Sequence, residues 1–188
     1  MRAERLEREF DVEVEWKGLE IHPELPPGGI PRESIIRGDY FRRAEENLQR
    51  LAAGEGLTMR SPEIIANSHL AMEAAEYARE KGKLAVFHRR LFEACYQEGL
   101  NLGDVETLAR LAEETGLDVA ELRQALAERR YQDRLAETTR EAARSGVTGT
   151  PTFIFGDQMV VGAQPYDVLR QAAERAGARP RPSMTGEG

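Results

Sequence analysis

Between Gly146 and Phe155 the chain reads Gly-Val-Thr-Gly-Thr-Pro-Thr-Phe-Ile-Phe, and this stretch limits the fold more than any other. A helix-stopping glycine and a tight turn precede a proline at the mouth of a short apolar run of the kind a buried strand shows. Proline has no N–H, so it is tolerated at the first residue of a strand, and an X-Pro bond in a tight turn is where a cis peptide is found. The turn dipeptide Gly156-Asp157 and the run Met159-Val160-Val161 then predict a β-hairpin with Phe153, Ile154 and Phe155. Gly162-Ala163-Gln164-Pro165 leads into a helix with Pro165 at or near its first position. That helix has core positions Leu169, Ala172, Ala173 and Ala176, and Gly177 as its stop.

Upstream, residues 2–9 read as the tail of a helix. Val12, Val14 and Trp16 alternate with Glu13 and Glu15, the period of a half-buried strand, with Trp16 in the core. His22 to Pro31 contains four prolines and two glycines and is a loop. From about residue 33 to 145 the pattern is helical. A first helix is predicted near 39–53. Ser61-Pro62-Glu63 opens a second, with Ile64, Ser68, Ala71, Ala75 and Ala78 on one face and Gly82 as its end. Leu84, Phe87, Leu91 and Cys95 form one stripe of a third, which makes Cys95 an inert core thiol. Asp104 caps a fourth, and Asp118 with Glu121 forms an acidic capping box for a fifth. A last helix near 130–145 runs into Gly146. Residues 178–188 show no apolar pattern and are expected to form a disordered tail.

Composition narrows the function. A formal net charge of -7 argues against nucleic acid or an anionic membrane surface as partner, since both are polyanions. No window approaches a membrane span, and the acidic N-terminal run lacks an export signal, so a cytoplasmic location is expected. One cysteine excludes an intramolecular disulfide within these 188 residues. His22, His69 and His88 lack ligand spacing, so no metal is expected. Asn67 and Ser68 read as a polar helix face, and the many Glu/Arg pairs as a solvated one.

Four pieces taken together carry a family resemblance: Gly146 to Phe153, Gly162-Ala163-Gln164-Pro165, Gly18-Leu19-Glu20-Ile21-His22-Pro23-Glu24, and Asn67-Ser68-His69-Leu70-Ala71. The chain resembles DsbA-family oxidoreductases of the FrnE type, whose relatives include 2-hydroxychromene-2-carboxylate isomerases and kappa-class glutathione transferases. The resemblance implies an α/β thioredoxin-like fold with a large all-helical insertion. The thioredoxin-like domain is expected over 1–30 and 146–177, and the insertion over 31–145. It also implies that Thr150 and Pro151 bind substrate, with the Thr150 backbone pairing with a substrate strand.

The family's chemistry rests on a Cys-x-x-Cys at the start of its first helix, where the helix N-terminus stabilises the attacking thiolate. No such motif stands in this sequence. Aligned on the strand at 12–16, the chain begins just past where the motif and the first strand belong. The expectation is therefore that the motif lies upstream of Met1, that no catalytic residue is present, and that the 188-residue polypeptide is redox-inert. The first strand would lie between the 12–16 strand and the hairpin, so its absence leaves 12–16 without a sheet neighbour. Three functions follow from the resemblance. The first is a thiol–disulfide oxidoreductase acting on protein or small-molecule thiols and disulfides without a cofactor. The second is a glutathione-using isomerase or transferase, and the third a non-catalytic peptide-binding remnant. The oligomeric state, homodimer included, is left open.

Overall fold

The computed structural model describes residues 2–35 and 37–182. In chain order the elements are α1 (Arg2–Glu9), β1 (Ile30–Pro31), α2 (Arg32–Ile35), α3 (Asp39–Gly54), β2 (Ile64–Ile65), α4 (His69–Glu80) and α5 (Leu84–Tyr96). They continue with α6 (Val105–Glu114), α7 (Val119–Ala127), α8 (Gln132–Arg144), β3 (Thr152–Phe155), β4 (Gln158–Val161) and α9 (Tyr166–Arg175). The chain divides into two compact units, one made of the described residues of Met1–Lys17 and Ala142–Gly188, the other of Gly18–Glu141. The divisions fall at 17/18 and 141/142 rather than at the residues read from the sequence, 30/31 and 145/146.

The 18–141 unit is helical because its apolar residues recur at helical spacing. Ala74, Tyr77, Phe87, Leu108, Leu111 and Leu122 are fully buried in one core drawn from α4 to α7. Asp104 caps α6 by accepting from the Thr107 N–H at 2.9 Å, and Asp118 caps α7 by accepting from the Glu121 N–H at 2.9 Å. The Glu121 carboxylate is engaged elsewhere: it accepts from Lys81 Nζ at 2.6 Å and from the Tyr77 hydroxyl at 3.2 Å.

One helix start differs from the sequence reading. Ser61-Pro62-Glu63 does not open α4. Ile64 and Ile65 pair with Pro31 and Ile30 as an antiparallel ribbon, extended by Arg32 N–H to Glu63 O at 2.8 Å. Two adjacent isoleucines favour extended backbone, and a sequence-distant partner decides the outcome. The helix begins at His69, whose N–H donates to Asn67 Oδ1 at 3.0 Å. Its buried face carries Ala71, Glu73, Ala74, Glu76, Tyr77 and Ala78, while Ala75 is half-buried. Asn67 is thus a helix-entry residue, and its amide donates to Leu25 O at 2.7 Å.

Gly29 has φ +73°, and a Cβ there would stand 2.5 Å from Ile65 O and 2.7 Å from Ile64 Cγ2. Left-handed backbone costs a non-glycine residue, and the overlap with backbone adds to it. Gly29→Ala is therefore expected to lower the stability of the 18–141 unit by about 2–3 kcal/mol, read as a shift in the urea midpoint. An unchanged midpoint would show that the ribbon moves aside.

In the other unit, α1 and α9 bury Leu6, Phe10, Tyr166, Leu169 and Ala173 against Phe153, Phe155 and Val160 of the hairpin. β3 and β4 are antiparallel, with Thr152 opposite Val161 and Phe155 opposite Gln158 around the Gly156-Asp157 turn. Val12, Val14 and Trp16 are half-buried and Glu13, Glu15 and Lys17 exposed, the alternation a strand requires. Among the described residues, the 12–17 segment nevertheless belongs to no β-ladder, and the Val14 N–H donates to Glu7 Oε1 at 3.2 Å. The alternation is a property of the residues, whereas a strand needs a neighbour.

The expected disordered tail is ordered at its start. The Asp11 N–H donates to Arg179 O and the Arg181 N–H to Glu9 O, both at 2.8 Å, around a bridge between Phe10 and Pro180. The Arg181 guanidinium donates to the carbonyls of Glu7 and Phe10, satisfying acceptors left over at the end of α1. Residues 183–188 of the expected tail lie outside the described residues.

Candidate functional site

Helix α8 ends at Arg144, and Gly146 in the turn beyond it has φ +74°. The Gly146 N–H donates to Ala143 O at 3.1 Å and the Val147 N–H to Ala142 O at 2.9 Å, which closes the helix and frees the chain to turn. The Thr150–Pro151 peptide is cis, and both residues are exposed. The turn is braced from within by the Thr152 hydroxyl, which donates to Gly149 O at 2.6 Å.

The second motif sits beside the first. The Gly162 N–H donates to Pro151 O at 2.8 Å, continuing the hairpin ladder one residue beyond Thr152 and Val161. Gln164 folds back, its side chain donating to Val161 O at 3.0 Å and its N–H to Gly162 O at 2.8 Å. Arg2 reaches the Gln164 carbonyl at 2.7 Å and ties this corner to α1. Two stretches whose bonded residues, Pro151 and Gly162, stand eleven positions apart in sequence thus form one corner.

The ladder fixes what this corner presents. Since Pro151 pairs with Gly162, antiparallel alternation turns the backbone groups of Phe153 and Phe155 toward β4. Those of Thr152 and Ile154 turn toward the opposite edge of β3. No residue from Gly146 to Phe155 is titratable. The corner therefore presents backbone donors and acceptors and threonine hydroxyls, and it has no acid, base or thiol. It suits holding an extended chain and supplies no bond-breaking group of its own.

The remaining residues singled out from the sequence lie elsewhere. Cys95 is half-buried on α5, and burial pushes its thiol up from the ordinary value. His88 meets Phe92 edge-on with ring centroids 4.8 Å apart, and burial, then Arg79, holds its ring below the ordinary histidine value. His22 stands at the surface with Nδ1 3.0 Å from Glu24. His69 has Nδ1 2.7 Å from Glu20 and Nε2 2.8 Å from Glu73, the latter at ion-pair distance without hydrogen-bond alignment. The sequence reading missed this arrangement. The i, i+4 spacing of His69 and Glu73 was its only local signal, since Glu20 lies 49 residues away. Among the described residues, no three His, Cys, Asp or Glu side chains converge on a metal-sized site.

A family model for the DSBA-like thioredoxin domain matches residues 1–174. The chain belongs to the DsbA-like thioredoxin family. The DsbA-like chain is similar to the uncharacterized protein YwbO of Bacillus subtilis (strain 168), with 34% identity over 165 residues, 86% of this chain and 81% of the relative. Among solved structures it is similar to a probable DsbA oxidoreductase from Streptomyces coelicolor. There the TM-score is 0.80 and the identity 28%, covering 88% of this chain and 76% of that one. A 2-hydroxychromene-2-carboxylate isomerase superposes with TM-score 0.73 at 20% identity, covering 94% of this chain and 85% of that one, which shows a shared fold. The sequence reading of a thioredoxin-like α/β fold with a helical insertion therefore stands, and the proline corner belongs to a DsbA-like domain.

Proposed function

We propose that this DsbA-like chain carries the peptide-binding wall of a thiol–disulfide oxidoreductase of the DsbA/FrnE type. Thr150 and Pro151 line the site, the Thr150 backbone pairs with an extended substrate strand, and no cofactor takes part. The observation that carries this reading is the exposed Thr150–Pro151 corner, held by the bond from Gly162 to Pro151 O, in a chain of this family. The substrates are protein or small-molecule thiols and disulfides, and the setting is cytoplasmic. No described helix is long and apolar enough to cross a membrane.

The 188-residue polypeptide is itself redox-inert. Dithiol exchange needs one thiolate to attack the substrate disulfide and a second to release the mixed disulfide that forms. The chain has one cysteine, and burial disfavours its thiolate. The test is insulin reduction together with titration of an extended peptide followed by amide NMR. The expected result is no turnover above the dithiothreitol background, with shifts confined to Thr150 and its neighbours. Turnover that disappears in Cys95→Ala would overturn the inert reading, and shifts elsewhere would overturn the peptide wall.

A further inference from the structure

Within the 18–141 unit, the described residues of 32–63 form an excursion whose two ends meet at one base. The base is the β1–β2 ribbon, extended by Arg32 N–H to Glu63 O at 2.8 Å, and Arg60 N–H fastens its return limb to Tyr96 O at 2.6 Å. Within this excursion lies α3, flanked by Gly38 at φ +87° and Gly56 at φ +71°. A side chain at either glycine would meet nothing within 4 Å, so neither is there to permit a close approach. Both are points where the backbone takes a hand of turn that other residues resist.

Helix α3 is amphipathic, with Ala44, Leu48, Leu51 and Ala52 on one side. Most helices of this length are held by burying such a stripe. Here Ala52 is buried, Leu51 is half-buried, and Leu48 remains 39% exposed. Among the described residues no other helix or strand packs along α3 in an extended interface. A polar tie runs from the middle of the helix to the base. The Glu45 carboxylate accepts from Arg32, at 2.8 Å and just after β1, and from the Ser61 hydroxyl just before β2. All three members of the tie are half-buried.

We propose that α3 is a helical strap that opens separately from the rest of the 18–141 unit, swivelling at Gly38 and Gly56 and latched shut by Glu45 on Arg32 and Ser61. Elements with little buried apolar surface open locally below the free energy of global unfolding, and lids and binding straps are drawn from them. Opening leaves the β1–β2 base and the α4–α7 core in place. This inference is independent of the function proposed for the proline corner, which lies in the other unit.

Amide hydrogen exchange of the 188-residue chain, read by mass spectrometry, tests the strap. Peptides from 39–54 are expected to exchange at least about tenfold faster than peptides from α4 to α7. Glu45→Ala removes a charge-assisted tie and is expected to speed exchange over 39–54 by a further tenfold or so, leaving α4 to α7 unchanged. Arg32→Gln cuts the same tie from the other side and should act in the same direction. Exchange of α3 in step with α4 in the wild type would overturn the proposal. So would an unchanged α3 rate in both variants, or an equal acceleration of α4 to α7, which would make α3 part of the cooperative core.

Discussion

Replacing Glu73 by alanine is expected to destabilise the 18–141 unit by about 3–5 kcal/mol, the largest single-residue effect anticipated here. The Glu73 side chain is fully buried on α4. One carboxylate oxygen accepts from the Tyr131 N–H at 3.3 Å, and the other lies 2.8 Å from His69 Nε2. Truncation leaves the buried backbone N–H of Tyr131 without an acceptor, removes the neighbour of an imidazole that also faces Glu20, and opens a void on the buried face of α4. Glu73→Gln keeps the volume and an acceptor, so it should cost only about 1 kcal/mol. Urea unfolding of the two variants separates these contributions. A loss below about 1 kcal/mol for Glu73→Ala would show that water takes over the role of the carboxylate.

A second large effect concerns alkaline pH. The phenols of Tyr131 and Tyr166 are both pushed up to about 12 from 10.0, first by burial and next by a hydrogen bond to a carboxylate. Tyr131 donates to Glu80 Oε2 at 2.6 Å and Tyr166 to Glu9 Oε2 at 2.7 Å, and the Arg5 guanidinium lies 3.8 Å over the Tyr166 ring. The folded state favours the protonated phenol, so the folded value lies above the unfolded one. The resulting stability is fully present below pH 10 and is lost as pH rises through about 12. A shift of two units corresponds to roughly 2–3 kcal/mol for each tyrosine, as an order of magnitude.

The two phenols lie in different units, so both units should weaken over the same alkaline window. Tyr131→Phe and Tyr166→Phe are each expected to cost about 1 kcal/mol at neutral pH and to flatten the alkaline loss of their own unit. A denaturation profile in which the phenylalanine variants fall in parallel with the wild type would assign the loss to other groups. Tyr77 and Tyr96 are also raised by burial and are the first alternatives.

Much of this architecture was legible in single residues because the forces involved act over a few positions. Gly146 as a helix stop, Gly156-Asp157 as a hairpin turn, and Asp104 and Asp118 as caps each depend on neighbours within four residues. The corner's two motifs were legible as well, and their contact through Gly162 and Pro151 follows once the hairpin closes. Ser61-Pro62-Glu63 misled for the opposite reason. Its local signals fit a helix start, but the segment pairs with residues more than thirty positions earlier.

The sequence by itself determined most of the helices, the β3–β4 hairpin, the proline corner and the family. It could do so because hydrophobic periodicity, turn chemistry and capping are written into adjacent residues. Tertiary structure alone decided three further things: that α4 starts at His69, that His69 is set between Glu20 and Glu73, and that the 12–17 alternation lies outside any ladder of the described residues. Each depends on whether a partner distant in the chain arrives to accept a hydrogen bond or a charge, and no local pattern records that arrival.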